Sequence, residues 1–140
     1  MADGPDAALQ AALRTALLAD AGVAALVGAR IYDEPPETTL YPYIRFGEAI
    51  VSAEDAMSET ADLITFALEA HSRAIGRIEA KQIVAAIKIA LHRAEPALAP
   101  VGFTIAYVEF QTARVDRAAV PGEGRGAIGR AVFRALLEPA

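Results

Sequence analysis

The chain has 140 residues, 54% of them apolar and only 6% aromatic, and it carries a net charge of −5. That length suits one domain, able to bury roughly 68–70% of its unfolded surface. The absence of cysteine excludes disulfides, thiol catalysis and cysteine-based zinc sites, and the acidic total argues against a general nucleic-acid binder, which needs basic surface for phosphate.

Residues 1–5 mark a loose N-terminus, MADGP, with no basic lead-in and hence no expected signal peptide. No run approaches the ~18 apolar residues of a membrane span, so a soluble, non-secreted protein is expected. Pro5-Asp6 begins a helix whose stripe is Leu9, Leu13 and Leu17 with Ala12 and Ala16. Asp20 interrupts it, and Ala21 to Val27 is a short second helical piece stopped by Gly28 at a left-handed cap. Ala29 to Tyr32 is a brief extended entry. Asp33 to Thr39, with Pro35 and Pro36, is a surface loop.

Tyr43 to Ser52 alternates as a strand, with Ile44, Phe46 and Ile50 on one face and Arg45 and Gly47 on the other. Glu48 falls on the apolar side, which marks either a bulge or a fault of register. Ala53 to Thr60 is a polar hairpin connection. Ala61 to His71 is the next strand, with Ile64, Phe66, Leu68 and Ala70 inward, pairing antiparallel with the first.

Ser72 to Arg93 holds the clearest periodicity in the chain. Ala80, Ile83, Val84, Ile87, Ala90 and Leu91 form one helical stripe, broad enough to require a sheet beneath it. Ser72 is placed to cap the helix, although the first turn can begin nearer Ile75; Glu95-Pro96 closes the far end. After a turn from Ala94 to Val101, Phe103 to Val115 is a third strand, with Ala106, Val108 and Phe110 opposing Tyr107, Glu109 and Gln111. Asp116 to Gly126 is a long loop. Ala127 to Glu138 is the fourth strand, with Ala131, Phe133, Ala135 and Leu137 on one face and Arg130, Val132, Arg134 and Leu136 on the other. The expected fold is a single α+β domain over 1–140. It has a four-stranded, mostly antiparallel sheet, two main helices and the order α-β-β-α-β-β.

Charge is unevenly placed. Asp33 to Glu69 holds nine acids and one base, whereas Ala70 to Arg93 holds five bases and one acid. Such blocks are either solvated faces or unlike patches that meet between copies. Arg130 and Arg134 share a strand face; they are either edge charges that deter promiscuous pairing or contacts to a neighbour's acidic block.

Motifs for chemistry are weak. Gly124, Gly126 and Gly129 spell G-x-G-x-x-G, but the chain ends eleven residues later and the tail alternates like a strand, so a hairpin loop is the better reading. Glu54, Asp55, Glu59 and Asp62 lack the spacing and glycine of a calcium loop. His71 and His92 without a third ligand make a poor zinc site. No nucleophile elbow occurs. No catalytic residue, metal ligand or cofactor is expected, and the chain reads as a non-enzyme.

Three stretches taken together carry a resemblance. They are Leu26-Val27-Gly28-Ala29-Arg30-Ile31-Tyr32 with the proline loop and Tyr41-Pro42-Tyr43-Ile44; His71-Ser72-Arg73 with the helix ending Ala90-Leu91-His92; and Phe133-Arg134-Ala135-Leu136-Leu137-Glu138-Pro139. They resemble the tail-completion, or tail-terminator, family of long-tailed phages, prophages and phage-like gene transfer agents. His71 stands where relatives commonly have tryptophan. The resemblance implies a structural protein, assembled in the bacterial cytoplasm, that forms a hexameric ring at the head-proximal end of a tail tube. Its implied partners are its own copies, the tail-tube protein and a head-completion or stopper protein, with DNA as passing cargo and no membrane.

A ring needs a heterologous interface, and the unlike charge blocks supply an acid-to-base match. An acidic lumen would let DNA slide. The loops Ala53–Thr60 and Asp116–Gly126 are candidate axial contacts. The candidate interface residues are therefore Arg45, Glu54, Asp55, Glu59, Arg117, Glu123, Arg125, Arg130 and Arg134. The alternative from a different class is a small dimeric α+β adaptor or regulatory domain without catalytic activity.

Overall fold

The computed structural model describes residues 3–54, 61–118 and 126–140, with Glu54 described as backbone only. Helix α1 (Pro5–Ala19) has proline at its first turn, where a missing N–H costs nothing, so Pro5 belongs to the helix and not to the loose N-terminus. It buries Ala8, Leu9, Leu13 and Leu17. The chain breaks at Asp20, whose Oδ2 accepts from the Val23 N–H at 2.9 Å and caps helix α2 (Ala21–Val27). The two helices meet at 83° across that break. Gly28 ends α2 at φ 59 and ψ −128, a glycine-only region rather than the left-handed helical one expected. No single helix among the described residues is long and apolar enough to cross a membrane.

The sheet corrects the expected architecture. Among the described residues it has five strands, β1 (Ile31–Tyr32), β2 (Tyr43–Glu54), β3 (Ala61–Ser72), β4 (Phe103–Arg117) and β5 (Ala127–Pro139), in the order β1-β2-β3-β5-β4. It is mixed, because β1 runs parallel to β2 with Ile31 opposite Ile44 while the remaining pairs are antiparallel. The brief extended entry is thus a strand, held by the Ile44 N–H donating to the Arg30 carbonyl at 2.9 Å. Arg14 of α1 donates from Nε to the Ile31 carbonyl at 3.1 Å and so covers the outer edge of β1. Among the described residues there are three α-helices where two main ones were expected; the short helical piece expected from Ala21 to Val27 is α2.

Helix α3 spans Ile78–Leu91, later than expected. Ser72 does not cap it, because that residue is the last of β3, opposite Ala127 of β5. It is buried, donates from Oγ to Glu79 Oε1 at 2.7 Å and accepts from the Ala74 N–H at 3.1 Å. Gly76, at φ 87, turns the chain between strand and helix. The predicted stripe holds: Ala80, Ile83, Val84, Ile87 and Leu91 are buried. They lie on β5, β3 and β4, while α1 lies over β1 and β2.

Both helical layers cover one face of the sheet. Phe133 sits at its centre, stacked on Phe66 at 5.5 Å and edge-on to Phe110 at 5.6 Å. Bulges move three expected placements. In β2, Gly47 and Glu48 together oppose Ala67, so Glu48 marks a bulge and not a fault of register. Past it the faces exchange, and Ile50 pairs with Thr65 on the side away from the helices instead of joining Ile44 and Phe46. In β4 an irregularity at Ala106 leaves Ile105 opposite Leu137 on the helix side, a place expected for Ala106; a second falls at Gln111.

Candidate assembly interface

The sheet face opposite the helices carries the charges. Cross-strand register lines up Arg45 of β2, Glu69 of β3, Arg130 of β5 and Arg114 of β4 in one row. Glu69 is the only acid in that row, and it takes Arg130 Nη1 at 3.5 Å on one oxygen and His71 Nε2 at 3.0 Å on the other. Arg45 reaches Glu34 at 3.9 Å, while its covered Nε has no hydrogen-bond partner among the described residues. A second row holds Ile50, Thr65, Arg134 and Glu109. There Glu109 is shared by Arg134 at 3.0 Å and by Arg93, beyond the end of α3, at 3.3 Å.

Arg130 and Arg134 are therefore not edge charges. Strand β5 lies between β3 and β4, so it has no free edge to protect. The free edge of β4 is guarded otherwise. His92, at the end of α3, accepts the Phe110 N–H on Nδ1 at 3.0 Å, and the Arg93 N–H donates to the Val108 carbonyl at 2.9 Å. Arg93 takes φ 59 to make that turn.

At one end of the bare face lies an aromatic cluster. His71 stacks on Tyr43 at 4.7 Å, Tyr43 touches Tyr41 at 5.1 Å and Tyr32 at 5.9 Å, and Arg73 lies 4.7 Å from the Tyr41 ring centre. Burial, with Tyr41 beside it, pushes the Tyr43 phenol up to about 12. At the neighbouring strand ends, Asp116 accepts the Arg117 N–H at 2.8 Å. That bond, with Arg77 and Arg114 assisting, holds its carboxyl below the usual range despite the opposing effect of desolvation.

Of the predicted interface residues, Arg45 and Arg130 are brought to one row through Glu69, Arg134 lies on the same face, and Arg117 is exposed at the end of β4. Glu54 ends β2 opposite Ala61. Asp55, Glu59, Glu123 and Arg125 lie outside the described residues, as do most of the two loops expected to make axial contacts. The glycine pattern is in part outside them as well, but the segment after Gly126 is the strand β5, where a dinucleotide site needs a helix. His71 and His92 engage different partners, and no group of three potential metal ligands occurs among the described residues. Sequence reasoning missed Glu69 and Glu109 as charge partners. Their outward positions were legible; the strands they would face were not.

Most of these ion pairs are half-exposed, worth about 0–1 kcal/mol each. They do little for the fold and pattern a flat, uncovered surface. A sheet covered on one side only leaves its charge-laced second side accessible, to solvent or to another protein. The chain belongs to the family of the Tail completion protein gp17, whose model matches residues 11–138. Membership makes it a structural protein of a phage tail and not an enzyme. Eleven chains of solved structures are similar to it. One, from the virion of a native gene transfer agent particle, is 30% identical with a TM-score of 0.82, over 98% of this chain and 99% of that one. Among curated proteins no match is found.

Proposed function

We propose that this protein is the terminator of a phage-like tail. Copies form a ring at the head-proximal end of the tail tube, end its polymerisation and join it to head-completion proteins, and DNA passes through the lumen. The observation that carries the reading is the end-to-end likeness, 98% and 99% of the two chains, to a subunit of a gene transfer agent virion. A likeness of that extent bears on the whole subunit and not on one shared fragment. The patterned bare face supports it, because a subunit that meets its own copies and two different neighbours needs several distinct surfaces.

Native mass spectrometry should give closed rings, with a hexamer as the expected species. Negative-stain images of tail-tube protein polymerised with this protein should show shorter tubes, each capped at one end. A strictly monomeric or dimeric protein that leaves tube length unchanged would overturn the reading.

A further inference from the structure

On the free edge of β4 the guard ends at Phe110. An antiparallel ladder turns the backbone groups of alternate residues toward the partner strand and those between them outward. The Val108 carbonyl and the Phe110 N–H face outward, where Arg93 and His92 meet them. Phe110 lies opposite Phe133, so the same phase continues at Ala131, Gly129 and Ala127, whose partners are Ala113, Val115 and Arg117. The Arg117 N–H agrees, since it turns to the Asp116 carboxylate. Among the described residues nothing meets the outward N–H and carbonyl of Ala113 or Val115, and residues 111–114 are exposed. Such a row of unmet donors and acceptors is a template for an added strand.

Arginines flank this open stretch on both sides. Arg114 lies on the bare side of the sheet, in the row of Arg130, and the exposed Arg117 alternates to the helix-bearing side. Arg77, just before α3, joins Arg114 around the carboxylate of Asp116, at 3.6 and 3.8 Å. Three bases thus meet one acid, and Arg77 and Arg114 stay 44% and 78% exposed. Glu69, further into the sheet, is held by Arg130 and His71, and Glu79 by Ser72. The local excess is positive in a chain whose net charge is −5. Arginine's planar fork suits carboxylates, which it takes with two parallel hydrogen bonds.

We infer that residues 112–117 of β4 receive an extended, acidic segment of a second protein as an added strand. Main-chain hydrogen bonds to Ala113 and Val115 supply the pairing, and Arg77, Arg114 and Arg117 select for acid. Nucleic acid fits less well, because a phosphate backbone offers acceptors only and would leave the outward carbonyls unmet, whereas a peptide strand meets both kinds of group. The same edge of a second copy fits less well too. Two such edges meet only about a two-fold axis, and they bring one arginine-flanked margin against another. The inference goes beyond the terminator reading and does not depend on it.

The probe is a capped, dye-labelled peptide of alternating glutamate and valine. It should bind by fluorescence anisotropy and slow amide exchange at Ala113 and Val115, read by NMR on the unaltered chain. Methylating alternate backbone nitrogens of the peptide, or exchanging its glutamates for lysine, should weaken binding by about tenfold or more. Arg114→Glu/Arg117→Glu and Ala113→Pro should do the same. The proline removes only an outward N–H, so circular dichroism and ring yield should be unchanged. Equal binding of the methylated peptide would overturn the proposal, since charge alone would then hold it. So would a DNA duplex that displaces the peptide and slows the same two amides. Loss of self-association in Ala113→Pro would give the edge to a second copy and overturn it as well. Peptide binding with these features by a chain that never forms rings would uphold the added strand and defeat the ring reading alone.

Discussion

Gly129 decides how closely α3 can lie on the sheet. It sits in β5 opposite Val115, and a Cβ there would stand 2.6 Å from Val84 Cγ2, 3.2 Å from Val115 Cγ2 and 3.4 Å from the Ala80 carbonyl oxygen. The first distance is far inside van der Waals contact, and Val84 is anchored on the buried stripe of α3. Gly129→Ala should therefore lift the helix or twist Val84 out of its rotamer, at a cost of about 1–3 kcal/mol, the usual penalty for overpacking. Chemical denaturation measures it. Adding Val84→Ala removes the clashing methyl, so the double variant should be less destabilised than the sum of the two single changes. Simple additivity would mean that the close approach is not what fixes this glycine. In the sequence the same residue is the third glycine of an apparent phosphate-loop pattern; its packing role appears only once β5 is known to run beneath α3.

At the level of elements, local patterning was enough for most of the fold. The leucine stripe of α1, the stripe of α3 and the clean alternations of β3 and β5 each record one period and one buried face. What escaped was non-local. Strand order is set by pairing between distant segments, so nothing in β5 itself shows that it lies between β3 and β4. Two-residue β1 is too short to carry a period, and Ser72 reads equally as a helix cap or a strand end. The bulge at Gly47-Glu48 was visible only as a misplaced acid, and its consequence, the reversal of Ile50, needs the pairing on both sides. The candidate interface was legible as charges but not as pairs, for the same reason. That bulge makes an asymmetric prediction. Deleting Glu48 leaves Gly47 opposite Ala67 and keeps every other pairing, so the variant should fold and melt cooperatively. Deleting Thr65 from the unbulged β3 slips one half of the strand by a residue and sends its apolar set to the wrong face. It should fail to fold. Circular dichroism and thermal melting of the two purified variants distinguish them, and equal tolerance would mean that register is not specified by the buried face.

For the molecule as a whole, the question is what the bare side of the sheet does. Arg130 and Arg134 stand on it in pairs with Glu69 and Glu109 inside the same chain. Pairs of this exposure contribute about 0–1 kcal/mol each. Placing glutamates at 130 and 134 replaces attraction by like-charge repulsion, so the melting temperature should fall, but modestly. Ring yield should fall much further if this side meets a neighbour, because unlike-charge contact across an interface sets partner choice and register, and reversing it opposes docking itself. The informative control is Glu69→Gln with Glu109→Gln. It breaks those pairs together with the His71 and Arg93 contacts and leaves both arginines in place, so it should cost at least as much stability while rings persist. Thermal melting and native mass spectrometry on the two double variants separate the cases. Rings lost only in the arginine reversal assign the arginines to assembly. Losses of melting temperature and ring yield that run in parallel through both variants assign them to the fold, and leave the bare side without a neighbour.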